Sequence, residues 1–261
     1  MKIKPLVLIP ISVLAFAFLG GAVFSGVVLL SPKSSPEFVA HRGYSSKFRP
    51  NTLGAFEAAA AESFWGIETD IRFTRDGVLV CEHDETVKYK DGTELAVATN
   101  DLSTLRAKPL KNDVNGDEVY LATFAEYLGA CKKGNKIAVV ELKGTYSTAE
   151  IKRILAAVDE SYERAKCVFI AFDYGNLTRL KAEDASLTLQ YLSDKKNDPQ
   201  FSKALEDGIS IDIETKCVTK KLVERFHKKG LKVNVWTVND AWNLNKAKRA
   251  LADYVTTDLY H

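Results

Sequence analysis

Two histidines fall where predicted β-strands end, and they are the first candidates for chemistry. The chain has only four histidines, and His41 and His83 each follow a short apolar run. Histidine exchanges a proton near neutral pH, so the pair predicts general acid–base catalysis. His227 lies in a Lys-rich helix end and His261 is the last residue, and neither is expected to carry chemistry.

Three acidic residues share the predicted interior of the sheet with these histidines. In the strand predicted over Gly66–Thr74, side chains alternate between two faces, which puts Glu68 and Asp70 on the same face. Glu141 takes the equivalent place in the strand predicted over Lys136–Lys143. Buried carboxylates are costly unless they are paired or bind a metal. Three of them predict a site for a hard divalent cation, Mg²⁺ or Ca²⁺.

A salt-bridge network is the alternative for the same acids. Arg42, Arg72 and Lys143 stand near them in the sequence and could neutralise them inside the mouth of a barrel. Spacing alone supports both interpretations equally. The neighbouring histidines favour the metal site, because they add groups that a catalytic centre requires.

Strands and helices alternate from about residue 37 to the C-terminus, and this order positions the site. Such alternation predicts βα units and a parallel sheet, and eight strands predict a (β/α)₈ TIM barrel. A doubly wound open sheet is the alternative, but the Gly-rich phosphate loop that usually follows its first strand is missing. The predicted strands are Glu37–His41, Gly66–Thr74, Lys136–Lys143, Cys167–Asp173, Thr188–Ser193, Gly208–Glu214, Leu231–Val238 and Tyr254–Thr257.

One segment interrupts the alternation after the second strand. Val78–Cys81 predicts an extra short strand, and Glu85–Tyr120 is polar and loop-rich, with a weak helical pattern at Asp101–Ala107. The segment is interpreted as an insertion over one face of the barrel. The predicted helices outside it are Thr52–Ser63, Thr123–Lys132, Thr148–Glu163, Tyr174–Glu183, Pro199–Glu206, Val218–Lys229 and Ala241–Leu251.

The first 30 residues form a segment of a different kind. Pro5 to Leu30 contains no charged residue, and a helix of that length exceeds the roughly 30 Å core of a bilayer. Lys2 and Lys4 precede it, so the N-terminus is expected in the cytoplasm and the domain outside. We expect a transmembrane anchor over residues 1–30, a linker over 31–36 and one domain over 37–261. A cleaved signal peptide, which would make the protein secreted, is the alternative.

Four ordered runs resemble the glycerophosphodiester phosphodiesterase family. They are HRGYSSKFRPNTLGAFEAA, GIETDIRFTRDGVLVCEHDETV, VVELKG and VWTVN, and the resemblance covers nearly everything from Phe38 onward. It implies a TIM barrel with a small insertion after the second strand. It also implies metal-dependent hydrolysis of a small-molecule or lipid-derived phosphodiester to an alcohol and glycerol phosphate. Nucleic acid is not an expected partner, because the net charge is only +2.

The resemblance also implies a role for individual residues. For Trp236, an aromatic residue of the barrel core is the alternative to a substrate contact. The implied residues are His41 and His83 for catalysis, Glu68, Asp70 and Glu141 for the metal, and Arg42, Lys143 and Trp236 for the substrate.

One position departs from the family pattern and leaves other functions open. The family usually reads Pro-Glu-Asn-Thr where this chain has Arg49-Pro50-Asn51-Thr52, so Pro50 replaces a glutamate beside the histidines. A weakly catalytic module that binds phosphodiesters is one alternative. Another is an enzyme that cuts lysophospholipids or a polyol-phosphate polymer of the cell envelope.

Overall fold

The computed structural model describes residues 35–259, which are built around a closed barrel of eight parallel strands. The first barrel strand pairs with both the second and the last, with Val39 opposite Gly66 and Glu37 opposite Tyr254. The predicted TIM barrel is therefore confirmed. In chain order the strands are β1 (Glu37–Ala40), β2 (Gly66–Phe73), β3 (Leu79–Cys81), β4 (Thr86–Lys88), β5 (Glu94–Ala96), β6 (Ile137–Leu142), β7 (Cys167–Ala171), β8 (Thr188–Ser193), β9 (Ser210–Glu214), β10 (Val233–Trp236) and β11 (Tyr254–Thr257).

Helices follow the barrel strands and cover their outer faces. In the fourth helix Ile151, Ile154, Leu155 and Val158 are buried, and their spacing is that of one helical face. The seven predicted helices are all present. The helices are α1 (Leu53–Ala61), α2 (Leu102–Leu105), α3 (Phe124–Gly134), α4 (Thr148–Ser161), α5 (Tyr174–Glu183), α6 (Gln200–Asp207), α7 (Lys220–His227) and α8 (Ala241–Ala250), with 3₁₀ turns at Val97–Thr99 and Arg164–Lys166.

The two faces of β2 separate the hydrophobic layer from the polar interior. Ile67 and Ile71 are fully buried among the helices, in the same cluster as Phe56 and Leu128. The alternate residues point into the barrel, whose interior contains an apolar group. That group consists of Val39, Val139, Val168, Ile170 and Leu192. Neutral polar residues, among them Gln190 on β8 and Asn234 on β10, are also buried in these strands.

The insertion after β2 is more ordered than its sequence predicts. The expected extra strand is present as β3, which pairs antiparallel to β2 with Cys81 opposite Ile71. Residues 85–120 were expected to be mostly loop, yet β4 and β5 form a two-stranded antiparallel sheet. A small apolar cluster stabilises it. The buried members are Val80, Val87, Tyr89, Val97, Leu105, Leu110 and Leu121.

Several expectations concern residues that lie outside the described range. The expected anchor over residues 1–30, most of the linker and His261 are among them. Between residues 35 and 259, no helix combines the length and the apolar character needed to span a membrane.

Candidate active site

Glu68, Asp70 and Glu141 converge at the carboxyl ends of two neighbouring strands. β2 and β6 run parallel with Asp70 directly opposite Glu141, and Glu68 lies one inward-facing position earlier. One carboxylate oxygen from each residue lies within 4.8 Å of the others, and all three side chains are buried. The three acids thus lie on the inward face of the strands, as predicted, and the distances between their oxygens suit a single ion.

Two cations contact this cluster. The Arg42 Nε atom is 3.4 Å from Asp70 Oδ2. The Lys143 Nζ atom is 2.7 Å from Glu141 Oε1 and 3.3 Å from Asp70 Oδ1. The salt-bridge interpretation therefore describes part of the arrangement.

The third expected cation is directed elsewhere. Arg72 donates from Nη2 to the backbone carbonyl of His83 at 2.7 Å, so it holds the loop that carries this histidine. A fourth buried carboxylate, Asp212 on β9, lines the same cavity and has an oxygen without a hydrogen-bond partner. Two cations thus face four buried carboxylates. Ion pairing alone leaves negative charge uncompensated.

The pKa values of the acids reflect their burial first and the neighbouring charges second. Burial, with repulsion from Asp70 and Glu141, raises the pKa of Glu68 well above its ordinary value. Burial and repulsion from Asp70 likewise raise the pKa of Glu141 to about 7. Burial opposes ionisation of Asp70 too, but Lys143 and Arg42 outweigh it and lower its pKa.

The donor set fits a hard divalent cation. Lys143 faces Oδ1 of Asp70 and Oε1 of Glu141, yet both oxygens are buried and receive no hydrogen bond of acceptable geometry. Carboxylate oxygens are the ligands that Mg²⁺ and Ca²⁺ prefer. A cation held by Glu68, Asp70 and Glu141 would supply the missing compensation.

The turn after β1 places Arg42 against the acids. Arg42 adopts a left-handed φ of 56°, and its backbone N–H donates to Glu68 Oε2 at 2.8 Å. Gly43 follows at φ 81°, and a Cβ atom there would lie 2.6 Å from the carbonyl carbon of Ala55. The glycine of the His-Arg-Gly run is therefore required by both conformation and space.

Substituting Gly43 with alanine is expected to destabilise the protein more than the same change at Gly92. Gly92 has nearly the same φ, 82°, but nothing lies within 4 Å of a Cβ there. The left-handed conformation costs about 1–2 kcal/mol at both positions, and steric overlap adds about 1–3 kcal/mol at Gly43. Urea unfolding of both variants measures the difference. Equal losses would mean that the turn adjusts to the added methyl group.

His41 is held by a residue that lies 217 positions away in the sequence. Its Nδ1 atom is 2.7 Å from Asp258 Oδ1, just beyond the end of β11. Ser45 and Asn239 also donate to this carboxylate. Burial would raise the pKa of Asp258, but the hydrogen bonds from His41, Asn239 and Ser45 outweigh it and lower the pKa to about 2. Asp258 is therefore ionised near neutral pH.

His83 has a carboxylate partner of its own. Its Nδ1 atom is 2.9 Å from Asp84 Oδ1. Burial lowers the pKa of His83, against the opposing effect of Asp84. The preceding Glu82 accepts hydrogen bonds from the His83 amide and from Arg49. Arg49, beside the unusual Pro50, thus fixes the loop that carries His83.

A cavity of about 180 Å³ joins these groups. Seven of the eight predicted site residues line it, and Asp70 lies beneath them, 1% exposed. Trp236 forms part of an apolar wall and packs edge-on against Phe172 with ring centroids 5.9 Å apart. The predicted residues in the lining are His41, Arg42, Glu68, His83, Glu141, Lys143 and Trp236.

Three polar residues of the site were missed by sequence reasoning. Asn51 donates to Asp70 Oδ2 at 2.8 Å and so orients the most buried acid. Its only sequence signal was its place in the resemblance to a family. Asp212 alternates with Ile211 and Ile213 in β9, a pattern that could have identified it. Asp258 had no comparable local signal.

Comparison with known proteins adds an independent result. Residues 41–260 match the sequence profile described as the Glycerophosphoryl diester phosphodiesterase family. The glycerophosphodiester phosphodiesterase of Caldanaerobacter subterraneus subsp. tengcongensis is 27% identical over 228 residues, which cover 84% of this chain and 93% of that protein. Human glycerophosphodiester phosphodiesterase 1 is 29% identical over 151 residues, covering 54% and 45% respectively.

Solved structures resemble the barrel over most of its length. The glycerophosphodiester phosphodiesterase of Thermotoga maritima superposes with a TM-score of 0.68 at 25% identity, covering 85% of this chain and 94% of that one. An Oleispira antarctica phosphodiesterase, solved with the product sn-glycerol-3-phosphate, gives 0.76 at 20% identity and covers 86% and 93%. The second likeness shows the fold alone.

Proposed function

This chain belongs to the glycerophosphoryl diester phosphodiesterase family and is a phosphoric diester hydrolase, and on that premise we propose that it hydrolyses glycerophosphodiesters to an alcohol and glycerol phosphate. The observation that carries the proposal is the meeting of two carboxylate-held histidines with three buried acids around one cavity. Glu68, Asp70 and Glu141 would hold Mg²⁺ or Ca²⁺. The bound cation would offset negative charge on the phosphate oxygens.

The partners of the two histidines fix which nitrogen can exchange a proton. Asp258 is ionised and can only accept a hydrogen bond, so Nδ1 of His41 carries the proton. Asp84, whose pKa is also lowered by its bond to His83, imposes the same tautomer there. Nε2 of each ring remains to serve as acid or base. One histidine takes a proton from the nucleophile, which is water or a neighbouring hydroxyl of the substrate. The other protonates the oxygen of the leaving alcohol.

Burial suggests which histidine starts as the base. The lowered pKa of His83 favours its neutral form at pH 7, and a neutral imidazole can accept a proton. His41 would then protonate the leaving alcohol. Arg42 and Lys143 line the same cavity and attract the anionic phosphate.

Release of glycerol phosphate from glycerophosphodiesters by the purified chain tests the proposal. Glycerophosphoethanolamine and glycerophosphoglycerol, each with and without EDTA and added Mg²⁺ or Ca²⁺, give the reaction and the metal in one assay. Metal-restored release supports the proposal. A folded protein that binds these compounds and never turns them over would instead be a binding module.

Replacing Asp258 with asparagine is expected to lower kcat at least about tenfold with little change in KM. Asparagine is uncharged and offers an amide hydrogen as readily as an oxygen, so it no longer fixes the Nδ1 proton of His41. The matched control is Asp253→Asn, which affects the 2.7 Å contact to His227 outside the cavity. Steady-state kinetics of both variants decide the question. Equal behaviour would remove Asp258 from the mechanism.

The same variant has an expected effect on acid stability. The pKa of Asp258 is about 2 in the folded protein, against about 3.9 in an unfolded chain. A depressed pKa stabilises the fold above about pH 4, and that stabilisation is lost as the pH falls through about 2. Thermal unfolding at pH 5 and pH 2.5 should therefore show a smaller pH effect in Asp258→Asn than in the wild type.

We also propose that the apolar segment from Pro5 to Leu30 anchors the chain in a membrane, with the barrel outside the cytoplasm. Its lack of charge and the preceding Lys2 and Lys4 support this arrangement. The full chain should stay with membranes through an alkaline carbonate wash, and a variant lacking residues 1–30 should be released. A mature N-terminus located after this segment would identify a cleaved signal instead.

A further inference from the structure

A second cavity, of about 600 Å³, lies among loops at the same end of the barrel as the catalytic cavity. Its walls come from the loops after β8 and β9 and from the first turns of α6 and α7. Those loops follow the carboxyl ends of parallel strands, as the acid cluster does. None of the residues that line this cavity has a role in the chemistry described so far.

Positive charge dominates the walls of this basic cavity. Five cationic side chains line it against a single carboxylate, Asp198. Asp198 is buried and accepts hydrogen bonds from Ser193 and Tyr191, so it is already engaged. The cationic residues are Lys196, Lys216, Lys221, Arg225 and Lys246.

Most of these cations are available to a ligand. Lys216 pairs with Glu214, and Lys246 donates to a backbone carbonyl. Lys196, Lys221 and Arg225 form no ion pair with any residue in the range 35–259. Three uncompensated positive charges on a concave surface create a strong local attraction for an anion.

Two helix ends add to this attraction. α6 and α7 have eight residues each, and residues of their first turns, including Phe201 and Lys221, line the cavity. The first amides of a helix lack acceptors within the helix, and the N-terminal end of its dipole is positive. The Gln200 N–H already donates to Asp198 and the Leu222 N–H to Thr219, so the helix ends add their dipoles while the cationic side chains supply the free donors.

The basic cavity and the catalytic cavity share a short wall. The Thr215 N–H donates to the carbonyl of Trp236, a residue of the catalytic cavity, at 2.8 Å. On its other side the Thr215 carbonyl accepts from Lys246, a residue of the basic cavity. Asp212 and Lys216 are four residues apart, so their Cα atoms are separated by at most about 14 Å. One extended substrate molecule can therefore reach both.

We propose that the basic cavity binds a second phosphate group of the substrate, which makes the preferred substrate an oligomer or polymer of phosphodiester-linked polyol units. The inference rests on the proposed function, because it assigns a substrate class to the same catalytic site. A concave wall with three cations that form no ion pair suits a discrete phosphate group. A flat anionic membrane surface would be met by a flat or protruding basic face instead.

Binding measured without turnover tests the inference separately from the hydrolysis. The full chain with His41→Ala is titrated calorimetrically with glycerophosphoglycerol, which has one phosphodiester, and with a glycerol phosphate oligomer of three phosphodiesters. We expect the oligomer to bind at least roughly tenfold more tightly, because charge-assisted hydrogen bonds form at the second site. A tenfold ratio of the two dissociation constants exceeds the roughly threefold advantage that the oligomer has simply because it carries three phosphodiesters.

A charge-reversal pair identifies the cavity responsible. Lys221→Glu with Arg225→Glu places two acids on the same helical face, four residues apart. The pair should reduce the preference for the oligomer to roughly the value expected from its number of phosphodiesters. The matched control is Lys220→Glu with Lys228→Glu, which makes the same charge change at the first residue of α7 and at the residue after its end, both outside the cavity lining. The control should keep the preference. Thermal unfolding of each variant verifies that it is folded.

Each outcome has a definite meaning. An oligomer preference that survives in the cavity variant, or is absent before substitution, overturns the inference. Loss of binding to phosphatidylglycerol vesicles in the cavity variant, with the soluble oligomer unaffected, also overturns it and identifies a membrane surface. A cavity-dependent preference in a protein that hydrolyses neither compound supports the second phosphate site and rejects the proposed function alone.

Discussion

Alanine at His41 or at His83 is expected to lower kcat by about 10²–10⁴-fold, the usual contribution of a general acid or base. Each ring lines the catalytic cavity and has its Nδ1 atom held by a carboxylate, at 2.7 Å for His41 and 2.9 Å for His83. Removing either ring removes a group that moves a proton in the transition state. The rate of glycerol phosphate release at saturating substrate measures the effect.

His227 supplies a control of the same chemical type. Its Nε2 atom lies 2.7 Å from Asp253 Oδ2, so it is also a histidine held by a carboxylate, but it lies outside the catalytic cavity. His227→Ala should keep the wild-type kcat. If His41→Ala and His83→Ala kept it as well, the acid–base assignment would be wrong.

Asp70→Asn is expected to raise the concentration of Mg²⁺ or Ca²⁺ needed for half-maximal activity by roughly tenfold or more. Asp70 is the most buried of the three acids, and it contacts both Arg42 and Lys143. Asparagine keeps the size of the side chain and removes one negative charge from the set that would attract the cation. Activity titrated with each metal after EDTA treatment gives the measurement, and EDTA alone should abolish wild-type turnover.

The control for this substitution is Asp207→Asn. Asp207 accepts a hydrogen bond from Tyr174 and has a lowered pKa, but it ends α6, away from the carboxyl ends of the strands. Its replacement should leave the metal requirement unchanged. Wild-type activity that persists in EDTA would refute the role of the acids as metal ligands.

Local sequence patterns predicted the barrel, the three acids of the site and its two histidines. The alternation in β2 separates Glu68 and Asp70 from Ile67 and Ile71, because successive side chains of a strand point to opposite faces. The same short-range rule located all eight barrel strands within about two residues of their observed ends. It failed for β4 and β5, which have three residues each and, unlike the fully buried β3, are partly exposed and show no apolar run.

Only the closed barrel decided how the charges and protons are arranged. Asp258 reaches His41 because β11 returns to pair with β1, a contact across 217 residues that no local pattern encodes. From its position in the sequence, Arg72 was as good a candidate to neutralise the acids as Arg42 or Lys143. It donates to the backbone carbonyl of His83 instead. Side-chain period is a property of neighbouring residues, whereas these contacts depend on which strands pair: β11 with β1 in the barrel for Asp258, and β3 with β2 beside it for Arg72. The sequence therefore predicted eight residues of the site, whereas the tertiary structure added Asn51, Asp212 and Asp258 and determined which groups touch.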